Sequence, residues 1–296
     1  MITENELKES ITKLVSATAI YLPEDVKKAL NDAYERETNP VAKSVLKSII
    51  DNIRVAEEGK KPLCQDTGTV IFYIEAGEKF PLLGKLPRIL REATIKATEI
   101  TPLRPNAVDI VTGKNSGNNT GEYIPWIEWD IVPDSDSATI TVVLKGGGSE
   151  SPSLAKTIPP GLGIKGVLKT AIDVIFEAGA KPCPPVVVGV GMGPAADIAM
   201  KLAKKALLRP IGSRHRREEI AELEEKLLKA INALGWGPHG VGGLTTALDV
   251  HIEAAHRHPA ALSLGVATMC WACRRASLRV TDTGVEFLTH PFLGGE

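Results

Sequence analysis

The chain has 296 residues, 43% of them hydrophobic and 24% charged, the balance of a globular protein long enough to bury a substantial core. A net charge of −1 excludes the basic footprint of a nucleic-acid binder and the polybasic face of a membrane-surface protein. The longest apolar runs, such as 184–190, are too short to cross a bilayer, and the acidic start Met1-Ile2-Thr3-Glu4-Asn5-Glu6 is unlike a signal peptide, so the expected home is the cytoplasm.

Thr3-x-x-Glu6 is a capping box that opens an amphipathic helix to about residue 18. Pro23 starts a second helix, and 40–58 reads as a third, with Val41, Val45, Leu46, Ile49, Ile50 and Ile53 at helical spacing. A strand follows over 69–75, after the turn Gln65-Asp66-Thr67-Gly68, then a helix over 86–98. Strands over 125–132 and 138–144 flank the turn Pro133-Asp134-Ser135-Asp136-Ser137, and the second ends in Gly146-Gly147-Gly148. A helix over 164–178 stops at Gly179, a buried strand occupies 186–190, and helices span 195–208 and 218–234. Strands near 248–253 and 264–269 precede a closing hairpin, 277–281 and 285–288, that turns through Asp282-Thr283-Gly284. With no repeat, low-complexity stretch or flexible linker, the pattern predicts a single α+β (mixed α/β) domain over 1–296. It comprises a helical lead-in, 1–60, and a mixed sheet-and-helix region, 61–290.

Four cysteines, Cys64, Cys183, Cys270 and Cys273, are poor material for a disulfide framework in a reducing compartment, and by composition alone read as buried apolar thiols. Their contexts argue otherwise. In Cys64-Gln65-Asp66-Thr67-Gly68 a thiol, an amide, a carboxylate and a hydroxyl stand side by side before a strand, either an ordinary polar turn or a set of groups retained for chemistry. Cys183 sits among Pro182, Pro184 and Pro185, which hold it on stiff, irregular backbone. Cys270-Trp271-Ala272-Cys273 is a C-x-x-C, open to readings as a redox pair or half a zinc site. The zinc reading lacks two further ligands at short spacing, and the redox reading lacks a helix after the first strand of the domain.

Gly189-x-Gly191-x-Gly193 follows a strand and opens a helix, but the third glycine comes one residue early and no acid stands about twenty residues on, so a dinucleotide site is disfavoured against a plain strand–turn–helix. Arg104 in the turn Leu103-Arg104-Pro105-Asn106, the polar loop 112–121 and the glycine-rich Lys145-Gly146-Gly147-Gly148-Ser149 together suit a carboxylate, through guanidinium and backbone donors. His256-Arg257-His258-Pro259 adds a titratable pair, expected near Cys270.

Taken in order, Cys64-Gln65-Asp66-Thr67-Gly68, Leu103-Arg104-Pro105-Asn106, Gly113-Lys114-Asn115, Lys145-Gly146-Gly147-Gly148-Ser149, Cys183-Pro184-Pro185 and His256-Arg257-His258-Pro259 resemble the N-terminal domain of class I fumarases and the α subunit of tartrate dehydratases, over about residues 10–285. The resemblance implies a 4Fe–4S cluster held by Cys64, Cys183 and Cys270, with one iron left open to act as a Lewis acid. It implies that Gln65, Asp66, Arg104 and the Gly147 backbone face a small dicarboxylate, with Asp66 the candidate for proton transfer. It also implies that His258 acts at a site formed at a subunit interface. The family pattern expects Asp or His where this chain has Cys273.

The expected activity is therefore that of an iron–sulfur hydro-lyase α subunit converting fumarate to L-malate. A separate β subunit would complete it, in a heterotetramer or larger assembly with no nucleic-acid or membrane partner. Gly242-Gly243-Leu244-Thr245-Thr246-Ala247-Leu248 and Gly148-Ser149-Glu150 resemble the fumarase side, whereas Trp271-Ala272 and 211–215 resemble L-tartrate dehydratases. Two other classes remain open: an electron carrier with Cys273 as fourth ligand, and a non-catalytic dicarboxylate-binding subunit.

Overall fold

The capping box forms as the first residues require: Thr3 Oγ1 accepts from the Glu6 N–H at 3.2 Å, and the Glu6 carboxylate accepts from the Thr3 N–H at 2.8 Å. That backbone hydrogen bond, followed by one from the Thr3 hydroxyl, holds the Glu6 carboxyl below its ordinary range. The helix it opens, α1, runs Glu4–Ile20, followed by α2 (Glu24–Arg36) and α3 (Pro40–Gly59). The computed structural model describes residues 2–295. In it the chain forms two compact units, one made of the segment up to Glu24, Asn52–Gly146 and the segment from Arg274 on, the other of Asp25–Asp51 and Gly147–Cys273.

The first unit is built on a five-stranded sheet in the order β2-β1-β3-β8-β9, comprising β1 (Thr69–Gly77), β2 (Trp126–Val132), β3 (Ala138–Lys145), β8 (Arg275–Thr281) and β9 (Gly284–Phe287). β1 pairs parallel with β2 and antiparallel with β3. Alternation in β1 sends Val70, Phe72, Ile74 and Ala76 into one core, where they meet Ile140, Val142 and Leu144 of β3 and Leu278 and Val280 of β8. Two helices cover that face: α1 through Leu7, Ile11 and Leu14, and α4 (Leu86–Ile100) through Leu86, Ile89, Leu90 and Ala93. The opposite face is partly polar, with Thr141 and Ser277 hydroxyls hydrogen-bonded at 2.7 Å, as expected for a sheet covered on one side. β2 is an edge, and its Trp126, Ile131 and Val132 are exposed.

The second unit holds a four-stranded sheet in the order β4-β7-β5-β6: β4 (Leu154–Ile158), β5 (Val186–Gly193), β6 (Ala247–Ala254) and β7 (Leu262–Met269). β5 runs parallel to β6 and antiparallel to β7, with Val187 opposite Met269. On one face Val186, Val188, Val190 and Met192 pack with Val250, Ile252, Leu264 and Val266. The helices there are α6 (Gly163–Ala178), through Val167 and Ala171, and α8 (Glu218–Asn232), through Ile220, Leu227 and Ile231.

On the other face α7 (Ala196–Ala206) lies directly against glycines. An added Cβ would fall 2.0 Å from Ala203 O at Gly189, 1.9 Å from Ala199 O at Gly191 and 2.6 Å from Ala199 O at Gly265. The glycines of the Gly189-x-Gly191 motif therefore serve close helix-on-sheet packing. In this unit Asp25 accepts from the Ile211 N–H at 2.7 Å and Glu37 from the Leu244 N–H at 2.8 Å, tying the second helix and the turn after it to the loops.

The mixed α+β class expected from sequence is the class observed. Two elements differ from the sequence expectation. Gly147–Glu150 form a helical turn, α5, where an open glycine loop was expected, and β4 was not anticipated because its residues, Leu154–Ile158, are mostly exposed and do not alternate.

Gly191→Ala should cost about 3 kcal/mol or more through overpacking against the α7 backbone, while Gly84→Ala, with nothing within 4 Å of the added carbon, should be near neutral. Urea-unfolding midpoints of the two variants check this.

Candidate functional site

In the first unit the expected residues lie on two turns. The earlier, 64–68, enters β1. Cys64 and Asp66 are half-buried and Gln65 is exposed. Gly68 has φ +91°, and a Cβ there would come 2.6 Å from the Leu144 carbonyl carbon, so only glycine lets this turn close onto the end of β3.

Asp66 is held from several directions. Its Oδ1 accepts from the Gly68 N–H at 3.0 Å and from Asn106 Nδ2 at 3.5 Å, and its main-chain carbonyl accepts from Arg274 Nη1 at 2.6 Å. Its Oδ2 lies beside Gly146, where an added Cβ would sit 3.2 Å away. The later turn, 103–106, carries Arg104, whose exposed guanidinium makes no hydrogen bond or ion pair among the described residues. Thr67 Oγ1 donates to the Arg104 carbonyl at 3.3 Å, which joins the two turns.

Asn106 and Arg274 are the residues that sequence reading passed over as partners of this site. The first was visible in the Leu103-Arg104-Pro105-Asn106 motif, the second only as a basic pair after the C-x-x-C. Arg274 is 1% exposed, an unusual position for an arginine, and it is spent on the Asp66 backbone. The polar loop 112–121 folds on itself: the Thr112 N–H and hydroxyl each reach Asp109 Oδ1 at 2.7 Å, and Asn115 returns to the Pro105 carbonyl at 3.0 Å. The Thr112 backbone, then its hydroxyl, hold the Asp109 carboxyl below its ordinary range.

In the second unit the antiparallel pairing of β5 with β7 brings the residues before β5 beside those after β7. The Trp271 N–H donates to the Cys183 carbonyl at 3.3 Å, so the Cys183 and Cys270 loops are neighbours. Cys183 is exposed with φ +54°, and Cys270 is half-buried. Cys273 is 1% exposed. Gly147 is exposed at the start of α5, a turn anchored where Thr268 Oγ1 donates to the Ser149 carbonyl at 2.8 Å.

The histidine pair is not near Cys270, as sequence proximity had suggested. His258 lies in the β6–β7 loop and Cys270 follows β7, so the strand puts them at opposite ends, roughly 25 Å apart at about 3.4 Å per residue. His258 is exposed, and its Nδ1 accepts from the Ala260 N–H at 3.1 Å, which leaves Nε2 directed outward.

At that same end lies a cavity of about 650 Å³, lined by Arg209, Arg214, His215, Arg217, Glu253 and His256 among others. Its arginines are largely neutralised from behind. Glu224, fully buried, accepts from Arg209 at 2.7 Å, the His215 N–H at 3.0 Å and the Ile252 N–H at 2.8 Å. Asp249, 1% exposed, accepts from the Gly212 N–H at 2.6 Å, Arg214 at 2.9 Å and the Val250 N–H at 2.8 Å. Burial pushes the Asp249 carboxyl up, but hydrogen bonding and charge from His251, with the Gly212 and Val250 N–H groups, outweigh it and hold the group below its ordinary range.

Among the described residues no three His, Cys, Asp or Glu side chains are grouped as a metal site would need. In donor chemistry, the exposed Cys183 and the half-buried Cys64 and Cys270, each a thiol on irregular backbone, suit an iron–sulfur cluster, and the enclosed Cys273 does not.

A family model described as fumarate hydratase (Fumerase) matches residues 8–279. The L(+)-tartrate dehydratase subunit alpha of Escherichia coli (strain K12) is 42% identical over 287 residues, 97% of this chain and 95% of that one. A Methanocaldococcus jannaschii chain, provisionally named as an L(+)-tartrate dehydratase subunit alpha, is 46% identical over 278 residues, 93% of this chain and 98% of that one.

Asp249→Asn should destabilise the chain by about 3 kcal/mol at neutral pH, because His251, the half-buried Arg214 and the Gly212 and Val250 N–H groups lose the charged acceptor they share. A carboxyl depressed on folding contributes stability above its unfolded pKa of about 3.9 and loses it as pH falls through the lower folded value. The gap between wild type and variant should therefore hold at pH 5–8 and shrink below about pH 4. Urea unfolding across that range measures it.

Proposed function

The chain belongs to the fumarate hydratase (Fumerase) family of hydro-lyases, and on that premise we propose that it is the α subunit of an enzyme that reversibly adds water to a four-carbon unsaturated dicarboxylate, taking fumarate to L-malate. The observation that carries this reading is the pair of joined turns in the first unit. They offer a half-buried carboxylate, Asp66, beside an exposed amide, Gln65, and an arginine, Arg104, with no partner among the described residues. An unpartnered guanidinium at such a place matches a carboxylate, and Arg104 would clamp one end of the substrate.

Gln65 would hydrogen-bond the substrate, the Gly147 backbone would face its second carboxylate, and Asp66 would move the proton or polarise the hydroxyl. His258 would act on the site of a second copy, in keeping with its place at the far end of β7 from Cys270. Cys64, Cys183 and Cys270 would hold a 4Fe–4S cluster. Held by three thiolates, such a cluster would supply Lewis acidity toward the substrate. The burial of Cys273 at 1% exposure favours a packing role for it, and so weighs against an electron carrier with four thiolate ligands.

Relatives named as alpha subunits support a β partner, which would supply the remaining cationic groups needed to take two carboxylates out of water. The assembly would be a heterotetramer or larger. No helix among the described residues is long and apolar enough to cross a membrane. We propose that the enzyme works in the cytoplasm, as the acidic start of the sequence suggests. A second reading, L-tartrate as substrate, is favoured by the names of the relatives and by the resemblance of 211–215 and Trp271-Ala272 to that side.

With the β partner present and the cluster reconstituted anaerobically, the enzyme should hydrate fumarate and dehydrate malate faster than it dehydrates tartrate; the reverse order transfers the assignment to tartrate, and no turnover of any of the three removes it. Asp66→Asn should keep iron and fold while losing on the order of a hundredfold in rate.

Iron analysis tests the ligand set. Cys64→Ser, Cys183→Ser and Cys270→Ser should each strip or convert the cluster, whereas Cys273→Ser should keep it and cost about 1 kcal/mol or less of stability. Loss of iron from Cys273→Ser alone would overturn the assignment.

A further inference from the structure

We propose that Asn106 is a positioning residue that locks the 64–68 turn and the 103–106 turn into one arrangement, and so sets where Asp66 and Arg104 meet the substrate. The inference rests on the roles given above to those two residues and assigns a further one.

Asn106 is a hub. Its Nδ2 faces three acceptors on the earlier turn: the Gly68 carbonyl at 3.1 Å, Thr67 Oγ1 at 3.5 Å and Asp66 Oδ1 at 3.5 Å. The best of these bonds fixes the Gly68 carbonyl, and the Gly68 N–H in turn donates to the same Asp66 Oδ1 at 3.0 Å. The amide therefore acts on the carboxylate both directly and through the backbone that shapes its turn.

Asn106 is itself held from behind. Its main-chain N–H donates to Asn119 Oδ1 at 2.7 Å, and Asn119 Nδ2 donates to Thr98 Oγ1 on α4 at 3.1 Å. Asn119 is 3% exposed and holds φ +59°, a backbone region costly for most side chains and tolerated by asparagine. A chain of neutral hydrogen bonds thus runs from the α4 helix to the Asp66 carboxylate, across residues about forty positions apart in sequence.

Arg104 lies two residues before Asn106, and its carbonyl is bonded by the Thr67 hydroxyl at 3.3 Å. One side chain therefore registers the carboxylate against the backbone that carries Arg104. Fixing Oδ1 this way leaves Oδ2 beside Gly146, where the missing Cβ keeps room for it. The donor has to be neutral: a lysine or arginine there would form a closed ion pair with Asp66, and an apolar residue would leave the Gly68 carbonyl without its donor.

The test compares Asn106→Ala, Asp66→Asn and the double variant in the reconstituted αβ enzyme. Asn106→Ala should lower kcat/KM about thirtyfold, as a misplaced reacting group does, with iron content and melting temperature near wild type. In the Asp66→Asn background the same change should cost less than about threefold, because a group acting through Asp66 has nothing left to position. Asn106→Leu keeps the size and removes the Nδ2 donor without adding a charge beside Asp66, so it should reproduce the loss even if the alanine variant folds poorly.

A second readout needs neither cluster nor partner. In the isolated chain without iron, iodoacetamide should alkylate Cys64 at least about threefold faster in the Asn106 variants, as peptide mapping would record, because the turn that carries it is loosened. Independent losses that multiply in the double variant, or an unchanged Cys64 rate, would overturn the proposal while leaving the role of Asp66 intact. Full activity of Asp66→Asn would instead remove the role on which the proposal stands.

Discussion

The antiparallel register that sets Val187 opposite Met269 governs what the second unit can offer to chemistry. It fixes the irregular segment before β5 against the one after β7, so the Cys183 and Cys270 loops, more than eighty residues apart in sequence, become neighbours, with the Trp271 N–H bonded to the Cys183 carbonyl. The same register, by running β7 the other way, carries the His258 loop to the far end. A one-residue slip would turn every core side chain of β7 to the wrong face, so the register is held by the whole of that core. The placement of these loops thus depends on the hydrophobic core of the sheet.

The first unit solves the corresponding problem with polar contacts. Its two turns are short, and sheet pairing alone does not orient them. Gly68 lets the chain close on β3, Arg274 takes the Asp66 carbonyl, and Asn106 spans the gap between turns. A buried arginine used on backbone is expensive unless its donors are matched; here Nη1 is matched by the Asp66 carbonyl, while Nε has no partner among the described residues. Polar groups thus specify geometry where packing does not.

Much of this was legible in the sequence. Periodicity located the helices and strands because each buries one face: Phe72 and Ile74 alternate in β1, and Ile220, Leu227 and Ile231 recur at helical spacing in α8. β4 escaped because it lies at a sheet edge with four of its five residues exposed, which leaves no alternation to read. The site motifs were visible as unusual neighbours, a thiol beside an amide and a carboxylate. Their supports were not, since Asn119 and Arg274 act across long sequence separations that local pattern does not encode. The distance between His258 and Cys270 was misread for a simple reason: twelve residues look close until eight of them form a straight strand.

The two faces of the sheet in the second unit differ in how they meet their helices. On the α6 and α8 side, valine, isoleucine and leucine side chains surrender rotamer freedom when they interlock. On the α7 side, Ala199 and Ala203 rest on Gly189, Gly191 and Gly265, residues with no rotamers to lose. The glycine–alanine part of that side is ordered at little side-chain entropy, with Leu202 and Leu207 packed beside it, and gains its cohesion from atom-to-atom dispersion at close range. It also has no freedom left to use: a branched side chain can swing to absorb a disturbance, whereas a backbone pressed on a backbone can only move as a body. A disturbance at α7 should therefore move that helix as a body, whereas one at α6 or α8 can be taken up in part by rotamer changes.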